Sequence, residues 1–144
     1  MVGAISLFEG KYGRLISLIE AGSVTQIRTA AASGLATQYL ARENDQGPFT
    51  VGILGAGVQA ESHIEAMIVA RDISKVIIWN RTFEKAQSLA QTASEKFGID
   101  VVATKDISEA VYIDNFNLIT FRFPQQIFSV QQLLLKSLLL NTLG

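Results

Sequence analysis

The stretch that decides the fold is VGILGAGVQA at residues 51–60. Its apolar first half breaks at a glycine-rich turn and passes into a helical pattern that ends near Arg71. This order predicts the strand, tight turn and helix of a dinucleotide-binding unit. Gly55, Gly57 and Ala60 fill the G-x-G-x-x-G/A positions of such a unit.

Each of these small residues has a physical role. Gly55 permits a backbone turn that a side chain would disfavour. Gly57 has no Cβ, so a pyrophosphate can approach the main chain, and Ala60 lets the helix pack closely on the strand. The start of the helix offers free N–H groups and the positive end of its dipole to phosphates. We therefore predict a phosphate-binding turn at residues 55–59, that is Gly55, Ala56, Gly57, Val58 and Gln59.

A second apolar run, Lys75–Asn80, predicts another strand and leads into Asn80-Arg81-Thr82. At this point in such folds an acidic residue accepts from the 2′-hydroxyl of NAD, or an arginine accommodates the 2′-phosphate of NADP. No acid is present here. Arg81 can pair with a phosphate, and Asn80 and Thr82 can donate hydrogen bonds to it, so NADP is preferred to NAD. The alternative is that Asn80 and Thr82 cap the next helix and Arg81 is a solvated charge.

Composition narrows the function classes. The 144 residues are 49% hydrophobic and 17% charged, enough for one core, or for one domain and a piece of another. A net charge of −1 gives no case for nucleic acid or an anionic membrane. The absence of cysteine and the single histidine, His63, exclude thiolate chemistry, disulfides and multi-histidine metal sites. With no signal-peptide pattern in the first residues, a cytoplasmic protein is expected.

The residues before the glycine turn predict a β-hairpin and a long helix. Strand patterns at 4–9 and 14–19 flank a turn at 10–13. Ser23 and Gln26 are spaced as a capping box for a helix running to about residue 41. Its middle consists of small residues, which allow another helix or a backbone to come close. Arg28 is the charge near this smooth surface, and from the residues alone a solvated arginine and a functional arginine are equally open interpretations.

The residues after the glycine turn complete half of a doubly wound sheet. A helix is predicted from Thr82 to Phe97 with Gly98 as its stop, then a strand at 101–103 and a helix beginning at 108. The predicted fold class is α/β: a partial Rossmann-like parallel sheet (β-α-β-α-β half) preceded by a β-hairpin and a long connecting helix. His63 is interpreted as a surface or locally hydrogen-bonded histidine without a catalytic role.

Beyond Val111 the pattern is less regular. Residues 116–123 form a candidate fourth strand that Pro124 ends, and residues 127–140 are rich in leucine. Because the leucine run is shorter than a bilayer span and contains Lys136, a core-seeking helix is favoured over a membrane segment. The chain divides into residues 1–22 (hairpin), 23–49 (connecting helix and linker), 50–123 (dinucleotide-binding domain) and 124–144 (leucine-rich tail).

Three segments together resemble the ornithine cyclodeaminase and mu-crystallin family over roughly residues 3–111. They are residues 27–31 with Ser33, residues 52–60 with His63, and Trp79-Asn80-Arg81-Thr82. The resemblance implies a homodimer with a substrate and dimerisation domain and a Rossmann domain. It also implies hydride exchange between a nicotinamide and the α-carbon of a small amino or imino acid.

By position, the resemblance makes residues 55–59 the pyrophosphate turn and residues 80–82 the adenosine-phosphate site. It places Arg28 and Thr29 near the cofactor phosphates and the active centre, where a guanidinium can fix an anion by two hydrogen bonds. Residues 1–22 then correspond to a remnant of the substrate and dimerisation domain.

The sequence also departs from the family pattern. The basic residues that clamp the substrate carboxylate and the catalytic aspartate have no counterpart, and Asp100, Asp106 and Asp114 do not fit the pattern. After Val111 no resemblance is seen. The expectation is therefore an incomplete, inactive form with an unrelated tail, no assignable catalytic residue, no bound metal and a doubtful homodimer.

Two other functions stay open. One is a non-catalytic nucleotide- or ligand-binding module of the mu-crystallin type. The other is a shikimate-dehydrogenase-like NADP enzyme, since Asn-Arg-Thr after the second strand also marks that group. The Arg28-Thr29-Ala30-Ala31 segment favours the first family, and the sequence does not identify the substrate.

Overall fold

The computed structural model describes residues 3–41 and 48–113. The elements in chain order are β1 (Ala4–Phe8), β2 (Leu15–Glu20), α1 (Ala21–Leu40), β3 (Phe49–Leu54), α2 (Val58–Ala70), β4 (Ile73–Trp79), α3 (Phe83–Phe97), β5 (Asp100–Thr104) and α4 (Ile107–Val111). The candidate strand at 116–123 and the leucine-rich segment at 127–140 lie outside the described residues.

The central sheet has the order β3-β4-β5, and both of its strand pairs are parallel. Val51 pairs with Val76, which in turn pairs with Val101. Parallel strands with helices between them are buried and apolar, which explains the continuous hydrophobic runs that predicted β3 and β4. The predicted β-α-β-α-β order is confirmed.

The core lies between this sheet and helices α2 and α3. Ile64 and Met67 of α2 are fully buried, and α3 turns a row of alanines inward. The strands contribute Val51, Ile53, Val76, Ile78 and Val101 to the same cluster. Alanine at the inward positions of α3 lets that helix lie close to the strands.

The opposite face of the sheet is covered at Gly52 by α4. Because neighbouring strand residues point to opposite faces, Gly52 faces away from the side that buries Val51 and Ile53. A Cβ built on Gly52 would overlap the carbonyl oxygen of Ala110 and lie 3.0 Å from Cδ1 of Ile113. The glycine therefore makes room for the backbone of α4, a role that the sequence did not reveal.

Helix α3 ends as the sequence predicts. Its N-cap is Thr82, and Gly98 stands at its C-terminus in the left-handed region, with φ 68°. Glycine is favoured there because a Cβ is strained at positive φ. The N–H of Gly98 donates to the carbonyl oxygen of Ser94 over 2.9 Å, which closes the last turn.

Small residues bring α1 against α2, as expected from the composition of α1. Ser33, Gly34 and Thr37 are buried at this contact. A Cβ on Gly34 would lie only 3.0 Å from the carbonyl oxygen of Ala66. At the far end of the contact, the guanidinium of Arg71 donates to the carbonyl of Gln38 over 2.8 Å. The two helices are thus joined by close packing and by a polar contact.

The start of α1 differs from the predicted capping box. The helix begins at Ala21, and the Glu20 carboxylate caps it by accepting from the backbone N–H groups of Gly22 and Ser23. Both hydrogen bonds lower the pKa of Glu20, and the bond from Ser23 has the larger effect. Gln26 instead donates to the Ser62 hydroxyl of α2. The capping-box prediction is wrong because β2 runs directly into the helix and puts Glu20 at the cap.

The N-terminal hairpin is confirmed, with β1 and β2 paired antiparallel from Ala4↔Glu20 to Phe8↔Leu15. Within the described part of the chain these two strands pair with no third strand. Their apolar side chains are exposed, for example Phe8 at 57% and Leu18 at 65%. A two-stranded sheet of this kind has little stability of its own.

Candidate dinucleotide-binding site

The glycine turn lies at the carboxyl end of β3. The N–H of Gly55 donates to the carbonyl of Trp79 over 2.7 Å, so the turn is fixed to the end of β4. Gly55 has φ 116°, a backbone conformation that other residues rarely adopt. The positive φ of Gly55 therefore confirms the prediction that the turn requires glycine at this position.

Helix α2 starts immediately after the turn. Gly57 is its N-cap and has no side chain to bond the first-turn N–H groups. The N–H of Ala60 donates back to the carbonyl of Gly57 over 2.9 Å, and Ala60 is buried against the sheet. Val58 is exposed on this first turn. The first turn of α2 thus presents N–H groups of the kind that bind phosphate oxygens.

Asn80 joins the glycine turn to the loop that follows β4. Its Oδ1 accepts from the N–H of Ala56 over 3.2 Å, and its Nδ2 donates to the carbonyl of Thr82 over 2.8 Å. Thr82 is the N-cap of α3, but its side chain makes no capping hydrogen bond. The two segments that the sequence assigned to cofactor phosphates are therefore neighbours in space.

Arg81 is exposed between these two residues. Among the residues that the structure describes, it forms no ion pair or hydrogen bond. Its guanidinium can therefore bind an anion at this edge without first losing a protein partner.

Lys105 is a second cation at this edge that the sequence did not suggest. It directly follows β5, and its Nζ lies 4.9 Å from the ring centroid of Phe83, the first residue of α3. Trp79 Nε1 donates to the Lys105 carbonyl over 3.2 Å, which ties the ends of β4 and β5 together. Since the carboxyl ends of parallel strands share one edge, the residue after β5 could have been included from the sequence.

Arg28 and Thr29 lie on the part of α1 that runs along the first two turns of α2. The Gln26–Ser62 contact precedes them and a Ser33–His63 contact follows them. Thr29 is half-buried there, whereas Arg28 is exposed and has no polar contact with other described residues. Their predicted approach to the cofactor phosphates stays a prediction.

His63 is buried, with 3% of its surface exposed. Its Nδ1 lies 2.7 Å from the carbonyl oxygen of Gln59, and its Nε2 lies 3.1 Å from the Ser33 hydroxyl. A neutral ring satisfies both contacts when Nδ1–H donates to Gln59 and Nε2 accepts from Ser33. Burial lowers the pKa of His63, partly offset by the bond to Gln59. The surface location allowed for His63 is wrong, and the local hydrogen bonding is confirmed.

Protonation of His63 should make stability depend on pH. Its pKa lies below 6.5 in the folded chain, so the unfolded chain binds a proton as the pH falls through 6.5 and the folded chain does not. The free energy of unfolding should be steady above about pH 7.5 and fall toward about pH 5.5. Urea titrations across this range measure the slope, and His63→Gln is the control without a titrating ring. An equal slope in His63→Gln would contradict the assignment.

Asp106 and Asp100 both have partners within the protein, and Asp100 begins β5 at the edge of the sheet opposite the glycine turn. Asp106 caps α4 by accepting from the N–H of Ser108 over 2.9 Å, and Asp100 lies 3.6 Å from Nζ of Lys75. Asp114 is outside the described residues. Within residues 3–41 and 48–113, no group of three histidine or acidic side chains is placed to hold a metal ion. In the same ranges no helix is both long and apolar enough to cross a bilayer.

A parallel sheet, a glycine turn at its carboxyl edge and a helix starting on that turn define a Rossmann-like α/β protein. The chain belongs to the ornithine cyclodeaminase/mu-crystallin family, whose sequence model matches residues 1–121.

Known relatives share both sequence and fold with this chain. Delta(1)-pyrroline-2-carboxylate reductase of Bacillus cereus is 40% identical over 142 residues, which are 99% of this chain and 42% of the relative. Ketimine reductase mu-crystallin of Mus musculus is 36% identical over 108 residues, 75% of this chain and 32% of the relative. A solved structure of Thermococcus litoralis Delta(1)-pyrroline-2-carboxylate reductase with NADH and L-proline matches with a TM-score of 0.75. It is 33% identical, over 82% of this chain and 36% of that one.

The family match also corrects the expected end of the resemblance. The family model continues to residue 121, ten residues beyond Val111. The alignment with the Bacillus cereus reductase includes 99% of this chain, so it enters the leucine-rich segment as well. The expectation of a tail unrelated to the family is therefore wrong. The chain spans less than half the length of the curated relatives that it matches.

Proposed function

We propose that this chain binds the pyrophosphate and adenosine phosphates of NADP(H) at the carboxyl edge of β3 and β4. The observation that carries the proposal is the 3.2 Å bond from Ala56 N–H to Asn80 Oδ1, which places the glycine turn beside the arginine loop. A dinucleotide with a 2′-phosphate contacts the glycine turn with its pyrophosphate and the arginine loop with its 2′-phosphate at the same time. Arg81 and Lys105 supply positive charge, and residues 80–82 include no acid.

The residues present fit such a cofactor. The uncapped first turn of α2 would hold the pyrophosphate. Among the described residues, the buried side-chain oxygen Oε1 of Gln59 has no hydrogen-bond partner; it can accept from a hydroxyl or amide of the cofactor, but not from the phosphate oxygens. Arg81 would pair with the 2′-phosphate. The nicotinamide, when bound, supplies or accepts the hydride, and the residues named here bind and orient the rest of the molecule.

We further propose that the site serves hydride exchange at the α-carbon of a small imino or amino acid. The support comes from relatives: the matching reductases are named for pyrroline-2-carboxylate and ketimine, and one was solved with NADH and L-proline. That complex holds NADH, so the preference for NADP in this chain rests on its own residues: Arg81, Lys105 and the absence of an acid at residues 80–82. A cytoplasmic location, and a homodimer for the full-length family protein rather than for this chain, are part of the same proposal.

Binding is tested with the chain's own fluorophore. Trp79 is the single tryptophan and ends β4 directly before Asn80. Titrating the purified 144-residue chain with NADPH should change its fluorescence saturably, and NADH should bind more weakly. Calorimetry provides an independent measurement. Absence of saturable binding of either nucleotide by both methods would refute the proposed site.

We expect this polypeptide to bind nucleotide without turning over substrate. Much of an enzyme's rate comes from holding the reacting atoms in position, and no residue here corresponds to the family's carboxylate clamp or catalytic aspartate. The assays are NADPH oxidation with cyclic imines and NAD(P) reduction with ornithine and alanine, with the Bacillus cereus reductase as positive control. Turnover by a monodisperse preparation of this chain would overturn the expectation.

A further inference from the structure

Asn80 continues the hydrogen bonding between β3 and β4 by one more bond, which its side chain makes in place of the backbone. The last backbone bond of the pair runs from Gly55 N–H to the Trp79 carbonyl, at 2.7 Å. The next N–H, on Ala56, bonds the Asn80 side chain in place of a backbone carbonyl. The turn is therefore fixed to β4 at two successive residues, although the strand itself ends at Leu54.

The partners of Asn80 fix the orientation of its amide. Oδ1 faces an N–H donor, the Ala56 amide, and Nδ2 faces a carbonyl acceptor, that of Thr82. Aspartate would retain the first bond and place an oxygen against the Thr82 carbonyl. Alanine would lose both bonds. The carboxamide thus links the turn to the loop by accepting on one side and donating on the other.

We propose that Asn80 is a positioning residue, which holds the glycine turn at a fixed spacing from the Arg81 loop and does not itself bind the 2′-phosphate. The inference rests on the proposed NADP(H) site. A dinucleotide must reach the turn with its pyrophosphate and Arg81 with its adenosine end. The spacing set by Asn80 therefore matters for any ligand that spans both, whether or not it has a 2′-phosphate.

The binding test compares Asn80→Ala with Arg81→Ala, using NADPH, NADH and adenosine 2′-monophosphate. Loss of the two bonds of Asn80 should weaken NADPH and NADH alike, by about tenfold. The monophosphate has no 5′-phosphate to reach the glycine turn, so its affinity should change by less than about twofold in Asn80→Ala. If Asn80→Ala weakens NADPH and the monophosphate but spares NADH, as expected for Arg81→Ala, Asn80 binds the phosphate directly and the proposal is wrong.

A ligand-free measurement tests the link independently of the nucleotide site. Hydrogen exchange of the Ala56 amide, followed by NMR on the full chain, should be at least about tenfold faster in Asn80→Ala. Asn80→Asp, which retains the acceptor, should keep the amide protected. Asn80→Ser is the second variant if the alanine variant does not fold. Unchanged exchange in the folded variant would overturn the proposal, while a wild-type chain that binds no nucleotide would overturn only the proposed function.

Discussion

Replacing Gly52 by alanine is expected to lower the free energy of unfolding by about 1–3 kcal/mol, the usual cost of forcing atoms into a packed core. The added Cβ would collide with the carbonyl oxygen of Ala110 in α4. A backbone group cannot rotate aside as the end of a long side chain can. Either α4 must move away from β3 or the strand must shift, and both disturb the end of the strand that leads to Gly55. Urea denaturation measures the change.

Gly10→Ala is the matched control for this substitution. Gly10 lies in the hairpin turn, and a Cβ there would meet nothing within 4 Å. In Gly10→Ala there is no collision, so only the general effect of replacing glycine by alanine remains. This effect restricts the unfolded chain and raises the free energy of unfolding by about 0.4–1 kcal/mol. Similar stability of the two variants would show that α4 does not constrain β3 at Gly52.

Replacing Arg81 by alanine is expected to weaken NADPH binding by roughly ten- to a hundredfold and NADH binding little. Hydrogen bonds to charged groups contribute about 1.5–3 kcal/mol, and about 1.4 kcal/mol corresponds to a factor of ten. Arg81 has no partner among the described residues, so its removal should leave the ligand-free fold intact. The measurement is a titration of both nucleotides, followed by Trp79 fluorescence.

Arg14→Ala serves as the comparison for loss of an arginine charge. Arg14 lies next to β2 in the hairpin, with its guanidinium 5.4 Å from the Tyr12 ring centroid, and is outside the candidate site. It should leave both affinities nearly unchanged. Equal weakening of NADPH and NADH by Arg81→Ala would mean that the arginine does not recognise the 2′-phosphate, and NADP preference would then be wrong.

The features that local sequence determines were predictable. The glycine turn, the stop at Gly98 and the strands around Val51 and Val76 follow from conformational limits and hydrophobic periodicity, and the structure confirms them. The position of the glycine turn beside Asn80 could be predicted from the number of residues between Gly55 and Asn80, which is typical of dinucleotide-binding folds.

The features that distant packing determines were missed. His63 stands among polar residues of α2 in the sequence, and only the approach of α1 buries it against Ser33. Gly52 looks like one more small residue of a strand until α4 folds back onto it. Lys105 reaches the candidate site because β5 lies beside β4, which is a matter of strand order. Glu20 became the cap because β2 extends further than its pattern suggested.

The direct passage from β2 into α1 has a mechanical consequence. Strand β2 ends at Glu20 and α1 begins at Ala21, so no flexible linker separates them. Helix α1 has 20 residues, about 30 Å, and its small-residue face is pressed against α2. The helix therefore acts as a stiff arm that packs along α2 from Gln26 to Gln38 and carries the hairpin at its N-terminal end. A displacement of the hairpin is therefore transmitted through α1 to α2. A hinge motion between the hairpin and the nucleotide site would have to change the packing of α1 against α2.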